Sequence, residues 1–241
     1  MNNTTSMEPG TGKPDITRGI MKRGLQIGIQ MLITGAILFI SSGRLDWWMA
    51  WAYLGIQVIG VGVNSFVLMR ISPELIAERA RLGANAKSWD KVLGTLWGIL
   101  SLIALLIAGL DMRFGWSPEI SLAAQVVALV LVVLGSAVAS WAMISNAFFA
   151  GAVRIQEERG HTTVSEGPYR LVRHPGYAGW TLSGIALTLM LGSLWAVIPA
   201  VLAAIALVVR TSLEDEFLQQ ELEGYEEYAQ VVRYRLVPGL W

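Results

Sequence analysis

The stretch YAGWTLSGIALTLMLGSLWAVIPAVLAAIALVV, residues 177–209, decides how this chain folds. It is apolar from end to end and is interrupted only near its middle, by Gly192-Ser193. As one helix, at about 1.5 Å per residue, it would run to about 50 Å, well past a hydrocarbon core of about 30 Å. The better reading is a hairpin of two short helices, about 177–191 and 194–209. Upstream, four further apolar runs are long enough to span, at 25–42, 47–69, 92–110 and 120–149. With the hairpin they make about six membrane helices, and the fold class expected is an all-α, polytopic membrane helical bundle.

The cations test that count. Sixteen of the 18 Lys and Arg lie in the N-terminal segment, in 70–91, in 150–175 and from Arg210 onward, whereas Arg44 and Arg113 alone fall on the other side. Such a bias alternates correctly only with an even number of spans. By the positive-inside rule it places both termini in the cytoplasm, with the inner (plasma) membrane as the expected location.

Composition agrees. The chain of 241 residues is 54% hydrophobic and 15% charged, against about 25% charged in soluble proteins. Intrinsic disorder of the whole is excluded by that hydrophobicity. The net charge of zero leaves no global basic field to hold nucleic acid. Without Cys there is no disulfide framework, thiolate metal site or Cys nucleophile, and two His alone supply no zinc ligand set, so no metal is expected. Of the ten Trp, Trp47, Trp48, Trp51, Trp116 and Trp195 fall near predicted outer turns and Trp89, Trp141 and Trp180 near inner ends, as interfacial anchors do.

Three regions are expected. Residues 1–16, rich in Asn, Thr, Gly and Pro, read as a disordered cytoplasmic tail. Residues 17–145 form a four-helix membrane region. Residues 146–241 hold the polar chemistry. Both histidines, His161 and His174, lie between the fourth helix and the hairpin, with Arg154, Arg159, Arg170 and Arg173. His174 precedes a proline, which turns it away from helix, and Pro175 suits the first turn of the next helix. Arg173, His174 and the free N–H groups of that turn therefore converge at the membrane surface, a physical fit to a carboxylate or similar anion. Beyond the hairpin, Arg210 and Glu214 share a helix face if the helix continues, either as a simple i,i+4 pair or as a functional pair at the membrane edge. Leu218, Leu222, Tyr225, Tyr228 and Val232 have the spacing of a C-terminal cytoplasmic amphipathic helix with a break at Gly224, and the tail to Trp241 is expected to fold back as a lid or anchor. Asn64, Gln57 and Gln125 read as interhelical hydrogen-bonding residues, and Asn146 lies close to the loop cluster.

Residues Gly167-Pro-Tyr-Arg-Leu-Val-Arg-His-Pro-Gly-Tyr-Ala-Gly179 resemble the GPYxxxRHPxYxG signature of the isoprenylcysteine carboxyl methyltransferase family, an arrangement similar to that of phospholipid N-methyltransferases. Arg210-x-x-x-Glu214-Asp215 resembles the family's R-x-x-x-E-E element, with Asp in place of the second Glu. Leu222-x-Gly-Tyr-x-x-Tyr228 resembles its F-G-x-x-Y-x-x-Y run, with Glu223 inserted before the glycine. The resemblance covers about residues 146–241. It implies an integral membrane methyltransferase that uses S-adenosylmethionine and takes a lipophilic, lipid-like acceptor, carboxylate or amine, from the bilayer. It implies cofactor contacts at His174, Tyr169, Tyr177, Glu214, Pro175 and Gly179, and it makes Arg173 and Arg210 candidates for orienting an acceptor carboxylate. Two other readings stay open: an NADPH-dependent membrane reductase of the sterol-reductase type, and a non-enzymatic transporter or assembly protein.

Overall fold

The computed structural model describes residues 16–81 and 86–241. The expected N-terminal tail lies outside the described residues, apart from residue 16, which opens the first helix. Among the described residues the chain is all helical, with no strand. The helices are α1 (Ile16–Ser42), α2 (Trp48–Ile71), α3 (Pro73–Arg79), α4 (Ser88–Phe114), α5 (Leu122–Ser145), α6 (Pro175–Met190), α7 (Val197–Glu221) and α8 (Tyr225–Val231), with 3-10 turns at Glu157–Arg159 and Gly167–Arg170.

Five of these, α1, α2, α4, α5 and α7, are long and apolar enough to cross a membrane. Their apolar side chains face outward, with Leu32 and Ile40 each 75% exposed, which is stable only against lipid. The hairpin forms with its turn where the sequence breaks, Gly192 adopting φ 84° in the left-handed region that glycine alone enters freely. Its two arms are not both short, however. Helix α6 has 16 residues, about 24 Å, and falls short of a full span. Helix α7 has 25 and continues past residue 209 to Glu221, because the charged stretch after Arg210 keeps strong helix formers such as Leu, Glu and Gln. The short helix α3, within the 70–91 loop, is not apparent from the apolar runs; Pro73 at its first turn starts it.

Buried share locates the centre. The most apolar window of α2 is 6% buried, whereas that of α7 is 39% buried, so α7 is the innermost of the five. Helices α5 and α6 pack closely through small residues. A Cβ on Gly179 would collide with the Gly135 carbonyl and stand 2.7 Å from the Ala139 nitrogen, and Ser183 Oγ donates to the Val132 carbonyl at 3.1 Å. Helices α1 and α4 meet likewise, at Ser41 and Gly109. Asn64 Nδ2 donates to Ser140 Oγ at 3.0 Å, joining α2 to α5 as its position in the span suggests.

At the Gly192 end, Asp111 is buried and accepts from Ser117 N–H (2.7 Å), Ser117 Oγ (2.5 Å) and Ser193 Oγ (2.5 Å). This ties the end of α4 to the α6–α7 turn. At the other end α3, the 146–174 loop, the end of α7 and the C-terminal segment gather over the bundle. The C-terminal helix breaks where expected: α7, carrying Leu218, stops at Glu221, Gly224 turns at φ 77°, and α8 follows with Tyr225 and Tyr228 buried.

Candidate active site

Six of the eight residues expected at the site surround one cleft of about 800 Å³: Tyr169, Arg173, His174, Tyr177, Arg210 and Glu214. Pro175 and Gly179 do not line it. Pro175 opens α6 and is fully buried, and Gly179 faces α5 across the helix contact described above. Their place in the pattern is explained by helix start and helix packing. Gly176, between them, does line the cleft, and a Cβ there would stand 2.7 Å from the Phe149 ring.

Asp215 organises the site. It is fully buried and takes bonds from five side chains, on the loop before α6, on α8, in the tail and, through Gln219 Nε2 at 3.0 Å from Oδ2, on α7 itself. Arg173 meets it with a fork, Nε to Oδ1 and Nη2 to Oδ2, both at 2.7 Å. Arg235 Nε reaches Oδ2 at 2.8 Å, and Tyr225 Oη donates to Oδ1 at 3.0 Å. His174 Nε2 lies 3.1 Å from Oδ1. A carboxylate held by two guanidiniums is ionised and only accepts, so the Nε2 of His174 carries the proton. The ring stacks on Tyr177 with planes 5° apart. Burial pushes the Tyr225 phenol well above its ordinary range, and the charge of Asp215 adds to this, so the hydroxyl stays a donor.

The same arginine ties down the chain end. Arg173 Nη1 donates to the carbonyls of Val232 (2.7 Å) and Arg233 (2.9 Å). The backbone N–H groups of Arg173 and His174 donate to Tyr234 and Arg235 carbonyls, both at 2.9 Å, and the Trp241 carbonyl accepts from residues 235–237. The tail thus folds back across the Arg-His-Pro loop. Burial pulls against the charge on Arg173, but its bonds to Asp215 outweigh this and hold it protonated. With those donors engaged, Arg173 clamps the tail and is poorly placed to take an acceptor carboxylate.

Arg210 and Glu214 do not pair with each other among the described residues. Arg210 Nε meets Asp90 Oδ1 at 2.6 Å, Nη2 reaches the Gly151 carbonyl at 3.2 Å, and the guanidinium lies 5.1 Å from the Tyr177 ring centre. Its Nη1 makes no hydrogen bond among the described residues, and Arg210 lines the cleft. Glu214 Oε2 accepts from Tyr177 Oη at 2.6 Å, which leaves its other oxygen for a ligand.

Sequence reasoning missed several partners. Asp90 is 120 positions from Arg210 and also receives the Val153 N–H at 2.9 Å. Its only local signal is an acid in the first turn of a helix, which reads as a dipole partner. In the sequence Asp215 is only a variation on the R-x-x-x-E-E element, and nothing local marks it as the centre of the site. Aromatic walls come from Phe148, Phe149, Trp180, Tyr225 and Tyr228, with Tyr228 Oη donating to the Tyr169 carbonyl at 2.6 Å. Asn146 does join the cluster, its Nδ2 donating to Tyr169 Oη at 3.2 Å. His161, at the far wall, stacks on Phe148 at 4.5 Å and is lowered to about 4, by burial first and then by Arg159 and Arg154.

Residues 127–220, which contain most of this cleft, match the sequence model of the isoprenylcysteine carboxyl methyltransferase (ICMT) family. This segment is ICMT-like. A probable protein-S-isoprenylcysteine O-methyltransferase of Oryza sativa subsp. indica is 34% identical over 114 residues, 44% of this chain and 57% of that relative. Protein-S-isoprenylcysteine O-methyltransferase B of Arabidopsis thaliana is 31% identical over 112 residues, 43% of this chain and 54% of the relative. The chain therefore spans just over half the length of these relatives. The ICMT-like segment carries the Arg-His-Pro loop, the hairpin, Arg210, Glu214 and Asp215, while Arg235 and α8, which complete the knot at Asp215, lie beyond it.

Proposed function

We propose that this chain is an S-adenosylmethionine-dependent methyltransferase of the membrane, acting on a lipophilic acceptor at the end of the bundle that bears the cleft. The observation that carries the reading is the closure of the cleft by the Asp215 knot within an ICMT-like segment. The donor set suits the cofactor. Aromatic faces at Tyr169, Tyr177 and Tyr225 favour a sulfonium cation and an adenine ring. The free oxygen of Glu214 accepts from an ammonium or ribose, and Arg210 Nη1 offers a donor to a carboxylate. When bound, the cofactor supplies an activated methyl group, so the protein need contribute little acid–base chemistry. Its residues position and exclude water: Tyr177 fixes Glu214, Asp90 fixes Arg210, and the tail held by Arg173 covers the site. Arg173 is thus a positioning residue. His174 orders the loop through Asp215 and offers its ring to the cleft, and Pro175 and Gly179 set the start and seat of α6.

A reductase using NADPH is less well supported. A nucleotide phosphate needs several unpaired cations, and Arg154 is engaged with Glu78 and Glu158 and Arg173 with Asp215, which leaves one Nη1 of Arg210, itself paired with Asp90. The cation bias supports a cytoplasmic cleft, since the ends of α2, α5 and α7 and the starts of α1, α4 and α6 share the cleft's end of the bundle. Titration of the purified chain in detergent tests the reading. S-adenosylmethionine should bind and NADPH should not, and methyl-labelled cofactor added to membranes should yield a labelled lipophilic product. Binding of NADPH with none of the methyl donor would overturn it.

A further inference from the structure

A second cavity, of about 990 Å³, opens between α1, α2, α3 and α5 and shares only Trp180 with the cleft. Its upper end is bordered by two arginines, Arg23 and Arg79. Neither has an acidic partner among the described residues. Arg79 Nη1 donates to the Phe149 carbonyl at 3.0 Å, and Arg23 Nη1 lies 3.5 Å from the Gln26 amide oxygen. Burial, with the nearby charge of Arg23, lowers Arg79 to about 10. Two partly buried guanidiniums at one cavity end without an acidic partner among the described residues call for an anion between them.

Below them the wall is mixed, with Ile27, Met31, Leu54 and Val61 forming an apolar strip beside the amides of Gln30, Gln57 and Asn64. From Arg23 to Thr34, which also lines the cavity, α1 rises about 16 Å. That is close to half of a hydrocarbon core of about 30 Å, the depth of one leaflet. A charged head at the membrane surface above a one-leaflet groove with an apolar strip along it and amides within reach of ester carbonyls has the profile of a phospholipid. Its phosphodiester fits two guanidiniums better than a neutral or zwitterionic head, whose own cation would face them.

We propose that this cavity binds an anionic glycerophospholipid, its phosphodiester between Arg23 and Arg79 and one acyl chain along the groove of α1, α2 and α5. The bound lipid also steadies the cleft, because Arg79 holds the Phe149 backbone and Phe149 is a cleft wall. The site is independent of the methyl-transfer reading, and its test needs no cofactor.

The full chain, purified in uncharged detergent, is given equal amounts of phosphatidylglycerol and phosphatidylcholine with identical chains, and retained lipid is counted by native mass spectrometry. The wild type should retain phosphatidylglycerol at least about fivefold over phosphatidylcholine. The double variant Arg23→Gln, Arg79→Gln should reduce that preference to less than about twofold; glutamine can still donate to the Phe149 carbonyl, which protects the fold. Val61→Trp, which fills the groove and leaves both arginines in place, should lower retention of both lipids. Equal retention by the wild type, or a preference that survives the double variant, overturns the proposal. So does displacement of the retained lipid by an equal amount of palmitate, which would make the cavity a site for a free carboxylate amphiphile.

Discussion

Two buried aspartates hold the two ends of this bundle, and they do so with different partners. Asp111 takes its bonds from serine hydroxyls and a backbone N–H, all within the turn regions it joins. Asp215 takes its bonds from two arginines, a histidine and a tyrosine carried by the loop before α6, by α8 and by the tail, with Gln219 one turn along its own helix. The neutral set ties the end of α4 to the α6–α7 turn, at the end of the bundle away from the cleft. The charged set binds the loop before α6, α8 and the tail, and each of these segments borders the cleft or covers it. The contrast shows where stability and ligand binding are separable and where they are one property.

The largest effect is expected at the cationic end. Asp215→Ala leaves Arg173 and Arg235 without their shared counter-ion, a loss of about 3–5 kcal/mol for a broken buried pair. The tail should detach from the loop, and cofactor affinity measured by calorimetry should fall at least about a hundredfold. Limited proteolysis should cut after α7. Unchanged cofactor affinity would break the comparison, because Asp215 would then be only another structural anchor.

Asp111→Ala is the matched control. Loss of charge-assisted bonds costs roughly 1.5–3 kcal/mol each before relaxation, so thermal stability in detergent should drop clearly. Cofactor affinity of the folded protein should stay within about twofold, since no bond of Asp111 reaches the cleft. Tyr177→Phe comes next. It removes one hydroxyl from Glu214 and should lower cofactor affinity roughly tenfold, in keeping with one hydrogen bond to a charged group, with little change in stability.

Legibility in the sequence follows the same division. Apolar runs, a glycine break and the sidedness of Lys and Arg are local or additive signals, and from them the spans and the hairpin turn could be read. The reach of α7 could not, because the charges that end an apolar run need not end a helix. At the site, the Arg173-His174 and Arg210–Glu214 patterns lead to six of the residues around the cleft. What each side chain binds was hidden, since Arg173 and Asp215 are 42 positions apart and Arg210 and Asp90 are 120 apart. Of the two readings of Arg210 and Glu214, the simple i,i+4 pair does not form, and Arg210 meets a tertiary partner that no spacing rule names. Gly179 has a separate lesson: a glycine inside a binding pattern can be there to let two helices touch.

The smallest expected effect belongs to His161, the one cleft residue whose protonation tests the wall without touching the knot. Its Nδ1 faces the Gln156 N–H at 3.4 Å as acceptor, and Gln156 in turn bonds the Phe148 carbonyl at 2.8 Å, so a neutral ring is built into the loop. In the folded chain the imidazole protonates only near pH 4, against about 6.5 when unfolded. Between these values the unfolded state binds the extra proton, so stability rises with pH across that window and is lost as pH falls. Thermal melts of the wild type should therefore soften between pH 6.5 and pH 5. In His161→Gln, whose side chain accepts the same N–H without titrating, that part of the slope should vanish while the Asp215 end is unchanged. A slope identical in both proteins would assign the acid sensitivity to carboxylates elsewhere and leave His161 as a packing residue.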